Sequence, residues 1–144
     1  MHIAAISFSL PVPSPLLARA VRAGFPSPAD DFVEEEIDLQ RLLVTNRAAT
    51  FLVRVAGDSM VGKGLLDGDL AIVDRSLTPQ DGDVVVVDVD GERSLKVWNR
   101  QGTRATLSFA NPRYPAYRLD AEALVEVWGV VSGSVNPRRR AVQG

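Results

Sequence analysis

The sequence predicts a mostly β domain of several short, twisted strands that follows a proline-rich N-terminal arm. Six runs rich in β-branched and aromatic residues begin after Thr50, with Asp/Gly turns between them. These predicted strands cover residues 51–55, 70–73, 84–89, 93–98, 105–109 and 124–131. The dipeptide Asp90-Gly91 between two of the runs is the strongest hairpin signal in the chain.

The first 28 residues predict an arm, because five of the nine prolines of the chain lie there. Proline fixes φ and supplies no N–H to a strand ladder. A short helix is predicted from Ser14, as N-cap of a helix that starts with proline, to about Val21. Further along, residues 37–43 predict one or two helical turns with Asp38 as the cap.

Composition limits the classes of protein that this chain can be. Its 144 residues suit one compact domain with short extensions, and 46% hydrophobic with 24% charged residues is ordinary for a globular protein. A formal net charge of −2 gives no general attraction to nucleic acid or to an anionic membrane. The absence of cysteine excludes disulfides and thiolate metal sites. No apolar run reaches the ~18 residues of a membrane span and no secretory signal is visible, so we expect a cytoplasmic protein.

A serine turn carries the first candidate for catalysis. Gly57-Asp58-Ser59-Met60 follows the end of a predicted strand, and a turn of this kind exposes a hydroxyl beside backbone N–H groups. The same residue types are common in turns without any chemistry. A nucleophilic Ser59 needs a base, and the one histidine of the chain, His2, is a poor candidate for a structured site.

The remaining candidate base is a lysine, and the chain has only two. Lys96 lies in a predicted strand, where alternation puts it on one face with Ser94 and Trp98. An unperturbed lysine, with a pKa of about 10.4, is almost wholly protonated at pH 7, but burial against apolar neighbours can lower that pKa by roughly 3–5 units. Trp98 on the same face would add to the burial. Lys63, between two glycines in a predicted loop, stays hydrated and charged, so Lys96 is the better candidate, although a solvent-facing lysine is the commoner case.

No metal or cofactor site is predicted. Five aspartates look like a carboxylate cluster, but each lies beside a turn or a strand end, where aspartate is locally favoured. They are Asp67, Asp69, Asp74, Asp81 and Asp83. Gly62-Lys63-Gly64 lacks the spacing of a phosphate loop. Arg138-Arg139-Arg140 is typical of a solvated tail more than of a nucleic-acid site.

Several motifs in sequence order resemble one family. They are Ala23-Gly24-Phe25-Pro26-Ser27-Pro28 and the acidic run after it, Ile37-Asp38-Leu39 with Leu42-Leu43, Gly57-Asp58-Ser59-Met60, Asp67-Gly68-Asp69-Leu70, Gly82-Asp83 and Lys96-Val97. Together they resemble the LexA/UmuD-type self-cleaving serine peptidases, an S24-like family, from about Ala23 to Val131. Several independent motifs in order are much harder to obtain by chance than the serine turn alone. The resemblance implies a LexA-like peptidase domain.

The resemblance also implies a serine–lysine dyad that cuts the protein's own chain. Carried over by position, Ser59 is the nucleophile and Lys96 is the general base. The backbone amides of Asp58 and Ser59 would hold the oxyanion. The cut falls between Ala23 and Gly24, where small residues let an extended segment approach the nucleophile closely.

The domain boundaries follow from this implied cut. Residues 1–23 are an arm that self-cleavage removes, and residues 24–135 are the peptidase domain. Within that domain, residues 24–49 remain as a linker after the cut. Residues 136–144 are a flexible basic tail.

The family resemblance further implies a role in SOS-response mutagenesis. Members are homodimers, and a RecA filament on single-stranded DNA stimulates their cleavage. The processed form joins a UmuC-type Y-family polymerase as a subunit for error-prone translesion synthesis. No cofactor, no membrane contact and no direct specific DNA binding is implied.

Two alternatives stay open. A repressor of LexA or phage type shares the peptidase domain but places a helix-turn-helix before it, and the 23 residues before Gly24 are too few for that module. A non-enzymatic dimeric scaffold of the same fold would keep the serine and lysine as vestiges. A membrane-bound signal peptidase shares serine–lysine chemistry but needs an apolar anchor, and none is visible.

Overall fold

The computed structural model describes residues 2–5, 13–17, 20–21, 23–24 and 33–138. Its contacts divide the chain into two units, one of Met1–Ile6 with Asn46–Gly144 and one of Ser7–Thr45. The described residues form nine strands, one α-helix and two single 3₁₀ turns. In chain order these are β1 (His2–Ala5), β2 (Pro13–Leu17), β3 (Val33–Asp38), α1 (Leu39–Leu43), a 3₁₀ turn (Arg47–Ala49), β4 (Thr50–Arg54), a second 3₁₀ turn (Val61–Lys63), β5 (Leu70–Asp74), β6 (Val84–Val89), β7 (Glu92–Gln101), β8 (Arg104–Ser108) and β9 (Val125–Val135).

Seven strands of the larger unit form one antiparallel sheet in the order β1-β4-β5-β9-β6-β7-β8. Each of the six predicted strands is present, and its ends differ by no more than four residues. The mostly β fold class is therefore confirmed. No strand is predicted for residues 2–5, which form β1 and pair with β4 at the edge of the sheet.

The hairpin predicted at Asp90-Gly91 connects β6 and β7. Both turn residues have positive φ, 50° for Asp90 and 84° for Gly91. Two such residues in a two-residue loop give the turn whose twist suits paired strands. The register that follows from this turn puts Lys96 directly opposite Val85.

β6 is buried on both faces, which explains its unbroken run of valines. All four valines at residues 84–87 are buried. Alternate residues point to opposite faces of a sheet. The first and third pack into a first core cluster with Met60 and Leu95, and the second and fourth pack into a second core cluster with Leu107. Lys96 lies opposite Val85 and so projects from the face of the second cluster.

The smaller unit contains β2 and β3, which pair antiparallel. The helix predicted from Ser14 is wrong over residues 14–17, because they are extended in β2. An N-cap is itself extended, so Ser14 before Pro15 suits a strand as well as a helix start, and here the segment pairs with β3. Proline is tolerated in an edge strand, because the N–H that it lacks can be one that faces away from the neighbouring strand.

α1 follows β3 directly in the smaller unit. The predicted cap is confirmed, since Gln40 N–H donates to Asp38 Oδ1 at 3.1 Å. The helix begins at Leu39, directly after the predicted cap, and the first two residues of the predicted run 37–43 end β3 instead. Over the ranges that the structure describes, no helix has the length and apolar character needed to cross a membrane.

Candidate active site

Ser59 lies in a turn that leaves the sheet at the end of β4. Gly57 has a φ of 84°, a left-handed value that favours glycine, and its N–H donates to the Asp67 carboxylate at 2.7 Å. Met60, next to Ser59, is 1% exposed and anchors the turn in the first core cluster. Ser59 itself is half-buried, so a fixed turn presents it at the protein surface.

The segment after β8 joins the serine turn through its main chain. Ala110 N–H donates to Ser59 O at 2.8 Å, and Ala110 O accepts from Gly62 N–H at 2.6 Å. Gly62 permits this approach, because a Cβ there would lie 2.6 Å from the Ala110 carbonyl oxygen. The main chain at Ser59 and just after it is therefore fixed by one short stretch of the chain.

Asp58, the residue before Ser59, is held by the same segment. Asn111 Nδ2 donates to the Asp58 carbonyl oxygen at 2.9 Å, and the Tyr114 hydroxyl donates to its carboxylate at 2.5 Å. The second hydrogen bond is the main reason why the pKa of Tyr114 is raised. Sequence reasoning missed Asn111 and Tyr114, because they follow Asp58 by 53 and 56 positions and no local pattern links them to the turn.

Lys96 is buried in β7, with 6% of its surface exposed. Its amine donates to Ser94 Oγ at 2.7 Å, as expected for residues on one face of a strand. The rings of Phe109 and Tyr117 have their centroids 5.0 and 4.7 Å from Nζ. Trp98, to which the sequence pointed, packs against the second core cluster, on the face from which Lys96 projects. Burial lowers the pKa of Lys96, as the role of a base requires.

Ser59 and Lys96 line the same surface cleft. This cleft has a volume of about 190 Å³, and its other lining residues are Val55, Ala56, Arg93, Ser94 and Leu95. Lys63, the other lysine, is exposed on the second 3₁₀ turn and lies outside this lining. The structure thus places in one cleft the nucleophile and the base that the sequence predicts, while their catalytic roles stay predictions.

Comparison with known proteins identifies the family. A family model described as Peptidase S24-like matches residues 15–132, which is most of the chain and includes both Ser59 and Lys96. The chain belongs to the Peptidase S24-like family. The predicted resemblance is therefore confirmed, and family membership supports the predicted class of enzyme, a self-cleaving serine peptidase.

Individual relatives match the S24-like chain over most of its length. Protein SamA from Salmonella typhimurium is 43% identical over 126 residues, which are 88% of this chain and 87% of SamA. Protein MucA from Escherichia coli is 37% identical over 122 residues, which are 84% of this chain and 83% of MucA. LexA repressor 1 from Geobacter sulfurreducens is 39% identical over 132 residues, which are 91% of this chain but 62% of the repressor.

The backbone amides predicted to hold the oxyanion are available in this S24-like site. Within the described residues, neither the Asp58 nor the Ser59 N–H donates a hydrogen bond, whereas the Asp58 carbonyl oxygen accepts two and the Ser59 carbonyl oxygen accepts one. Two N–H donors beside a serine are what an oxyanion hole needs. Their role stays a prediction.

Arg93 adds a positive charge to the S24-like cleft that sequence reasoning did not single out. Its guanidinium donates to the Asp88 carboxylate at 2.7 and 3.0 Å and lies 4.6 Å from the centroid of the Trp128 ring. Arg75 lies at the same distance from that ring. The hydrogen bond from Arg93 holds the pKa of Asp88 below its usual range. Arg93 is thus paired within the lining, and burial is the cause that lowers the pKa of Lys96.

The aspartates that resemble a metal cluster have structural roles, because each accepts a hydrogen bond from a main-chain N–H. In three of them the donor lies two or three positions away, as in a turn, whereas in the other two it lies 10 and 19 positions away and joins separate segments. The pairs are Asp67 with Gly57, Asp69 with Leu66, Asp74 with Ser76, Asp81 with Arg100 and Asp83 with Gln80. Among the residues described here, no group of three or more His, Cys, Asp or Glu side chains is arranged to hold a metal ion.

Ala23 and Gly24, the predicted cleavage site, lie in the smaller unit. Both are exposed and belong to a bend. Gly24 has a φ of 84°, so this bond is not in the extended conformation that the sequence analysis expects of a bound substrate segment. The predicted removal of residues 1–23 stays a prediction.

Proposed function

We propose that this chain is a self-cleaving serine peptidase in which Ser59 attacks the Ala23–Gly24 bond with Lys96 as its base. The observation that carries the proposal is that Ser59 and Lys96 line one cleft while the amine is buried. Burial favours the neutral lysine, which is the form that accepts a proton. The family match supports the same chemistry, since residues 15–132 span the proposed bond, nucleophile and base.

The proposed reaction passes through an ester on Ser59. Lys96 takes the hydroxyl proton as Oγ bonds to the carbonyl carbon of Ala23, and the amides of Asp58 and Ser59 stabilise the negative oxygen. The C–N bond to Gly24 then breaks, and the Lys96 ammonium returns its proton to the departing amine. Lys96 then deprotonates a water molecule, whose oxygen bonds to the ester carbon. The bond to Ser59 Oγ breaks, the Lys96 ammonium returns the proton to Oγ, and Ala23 is left with a free carboxylate.

The conformation at Gly24 supports slow cleavage in the resting chain. Its left-handed φ must change before the segment becomes extended and enters the cleft. A partner that favours the extended state accelerates the reaction by a population shift, without new chemistry. We assign this role to a RecA filament on single-stranded DNA, which places the reaction in the cytoplasm.

The processed chain, residues 24–144, then acts in SOS mutagenesis. It forms a homodimer and serves a UmuC-type Y-family polymerase as a subunit for error-prone translesion synthesis. The support is the family resemblance to UmuD-type proteins, together with the identity to SamA and MucA over more than four fifths of each chain.

Alkaline self-cleavage tests the nucleophile and the bond. At about pH 10, where lysine approaches neutrality, purified protein is expected to convert to a fragment that begins at Gly24, as read by mass spectrometry. Ser59→Ala abolishes the conversion, whereas Ser132→Ala, at an exposed serine of β9, keeps it. A cut at another bond, or an unchanged rate in Ser59→Ala, would overturn the proposal.

RecA dependence tests the proposed regulation. At neutral pH, the rate of conversion is expected to rise at least tenfold when RecA, single-stranded DNA and nucleotide are all present. Omission of the DNA is expected to remove the stimulation. A chain that stays uncut under every one of these conditions supports the non-enzymatic dimeric scaffold instead.

A further inference from the structure

Two aromatic rings face the Lys96 amine, and the proposed reaction gives them no role. Their centroids lie 4.7 Å (Tyr117) and 5.0 Å (Phe109) from Nζ. The two rings also contact each other edge to face, with centroids 5.4 Å apart. The face of an aromatic ring attracts an ammonium group within about 6 Å of its centroid, so both rings are within reach of the charged lysine.

We propose that Phe109 and Tyr117 hold Lys96 in a protonated resting form and so restrain self-cleavage at neutral pH. This inference rests on the proposed function, in which the neutral amine is the base. The Ser94 hydroxyl, 2.7 Å from Nζ, can bind the amine in either protonation state. The two rings differ from this hydroxyl, because their faces attract the charged form of the Lys96 amine.

Two effects on the amine therefore oppose each other. Burial disfavours the charge and lowers the pKa of Lys96, whereas the ring faces favour the charge, and more strongly where water is excluded. The neighbouring strands carry Glu92, Arg93 and Arg100 in β7, Asp88 in β6 and Arg104 in β8 as charged groups, the segment after β8 carries Arg113, Tyr114, Tyr117 and Arg118, and the serine turn carries Asp58. Arg93 is paired with Asp88, and Tyr114 with Asp58. Tyr117 acts through its ring and not through its hydroxyl.

A leucine in place of either ring keeps an apolar side chain but removes the ring face. Without the ring, burial lowers the pKa of Lys96 further, and a larger fraction of the amine is neutral at pH 7. Below the pKa, each unit of lowering raises that neutral fraction tenfold. The rate at high pH, where the amine is already neutral, is expected to stay the same.

Lysine titration by NMR tests the inference without any need for cleavage. The chain has only two lysines, so ¹³Cε-labelled lysine in the Ser59→Ala protein gives two signals, with Lys63 as internal reference. Tyr117→Leu and Phe109→Leu are each expected to lower the Lys96 midpoint by about half a pH unit or more. Tyr117→Phe keeps the ring and is expected to leave the midpoint unchanged. An unchanged or raised midpoint in both leucine variants overturns the inference.

Two further measurements separate this inference from the proposed function. Phe51→Leu removes a ring that packs on Trp128 and is expected to leave the Lys96 midpoint unchanged. A shift in this variant as large as in the two leucine variants contradicts a specific role of the rings.

In the cleavable chain, Phe109→Leu and Tyr117→Leu are expected to cut about threefold faster or more at pH 7, which is the rate ratio that corresponds to half a pH unit. A shifted midpoint without cleavage in any variant refutes the proposed function and leaves the ring contacts supported. Normal cleavage with unshifted midpoints refutes the inference alone.

Discussion

Tyr114 donates a hydrogen bond to the carboxylate of Asp58, which directly precedes the proposed nucleophile. This hydrogen bond and a second one, from Asn111 to the Asp58 carbonyl oxygen, hold the serine turn against the segment that follows β8. Three residues further along, Tyr117 faces the amine of Lys96. One short segment thus touches both members of the proposed dyad, although it contains neither of them.

The contact between Tyr114 and Asp58 predicts a positioning role for the tyrosine hydroxyl. Tyr114→Phe is expected to slow alkaline self-cleavage several-fold, because the turn that carries Ser59 loses one of the hydrogen bonds that hold it in place. Circular dichroism is expected to show an intact fold. Tyr117→Phe removes a hydroxyl from the same segment without this loss and is the matched control. Equal high-pH rates in Tyr114→Phe and the parent chain would contradict the positioning role.

The lowered pKa of Lys96 predicts how cleavage depends on pH. The folded amine loses its proton at a lower pH than the amine of an unfolded chain, because burial disfavours its charge. The neutral base therefore increases as pH rises, and the rate is expected to rise tenfold per pH unit until it levels above the pKa. The raised pKa of Tyr114 keeps its hydroxyl protonated as a donor beyond the ordinary range of a tyrosine. Initial rates from pH 6 to pH 10 measure this profile, and a rate that falls with pH would be inconsistent with a lysine base.

Close packing of β9 against β5 predicts a steric cost at Gly129. A Cβ there would lie 2.5 Å from Val73 Cγ1. Gly129→Ala is expected to lower the free energy of unfolding by about 1–3 kcal/mol, as over-packing of a core does, measured by urea denaturation. In a Val73→Ala background the same substitution is expected to cost less, because the shorter side chain leaves room. Equal costs in the two backgrounds would rule out the steric explanation.

The positive φ values of the β6–β7 turn predict how the free energy of unfolding depends on the residue at the second position of the turn. Gly91 has a φ of 84°, where a Cβ costs roughly 1–2 kcal/mol. Gly91→Ala is expected to lower the free energy of unfolding by about that amount, and Gly91→Asn by less, since asparagine tolerates this region better. Urea denaturation of the two variants and the parent chain measures the order, and an alanine variant as stable as the parent chain would contradict it.

The features that could be predicted from the sequence depend on local patterns. Strand periodicity, the Asp90-Gly91 turn and the Asp38 cap each need only a few neighbouring residues. Lys96 could be selected because alternation shows which face it occupies and because the chain has a single competing lysine. These signals were sufficient for the fold class and for the two residues that share the cleft.

The features that were missed depend on contacts between distant residues. Tyr114 meets Asp58 only after the sheet has formed, and nothing near Tyr114 in the sequence indicates that partner. The segment around Ser14 has the residues of a helix start and also those of an edge strand, and its pairing with β3 decides between them. β1 likewise depends on β4, which lies about 50 residues further along the chain.

The most direct test of the central claim compares the two lysines of the chain as a matched pair. Intact-mass spectrometry at pH 10 measures the initial rate at which the fragment that begins at Gly24 appears. Lys63→Met is expected to cut at the rate of the parent chain, and Lys96→Met is expected to be at least about a hundredfold slower, the usual loss when a general base is removed. A Lys96→Met chain that cuts between Ala23 and Gly24 at the parent rate would contradict the Ser59–Lys96 dyad.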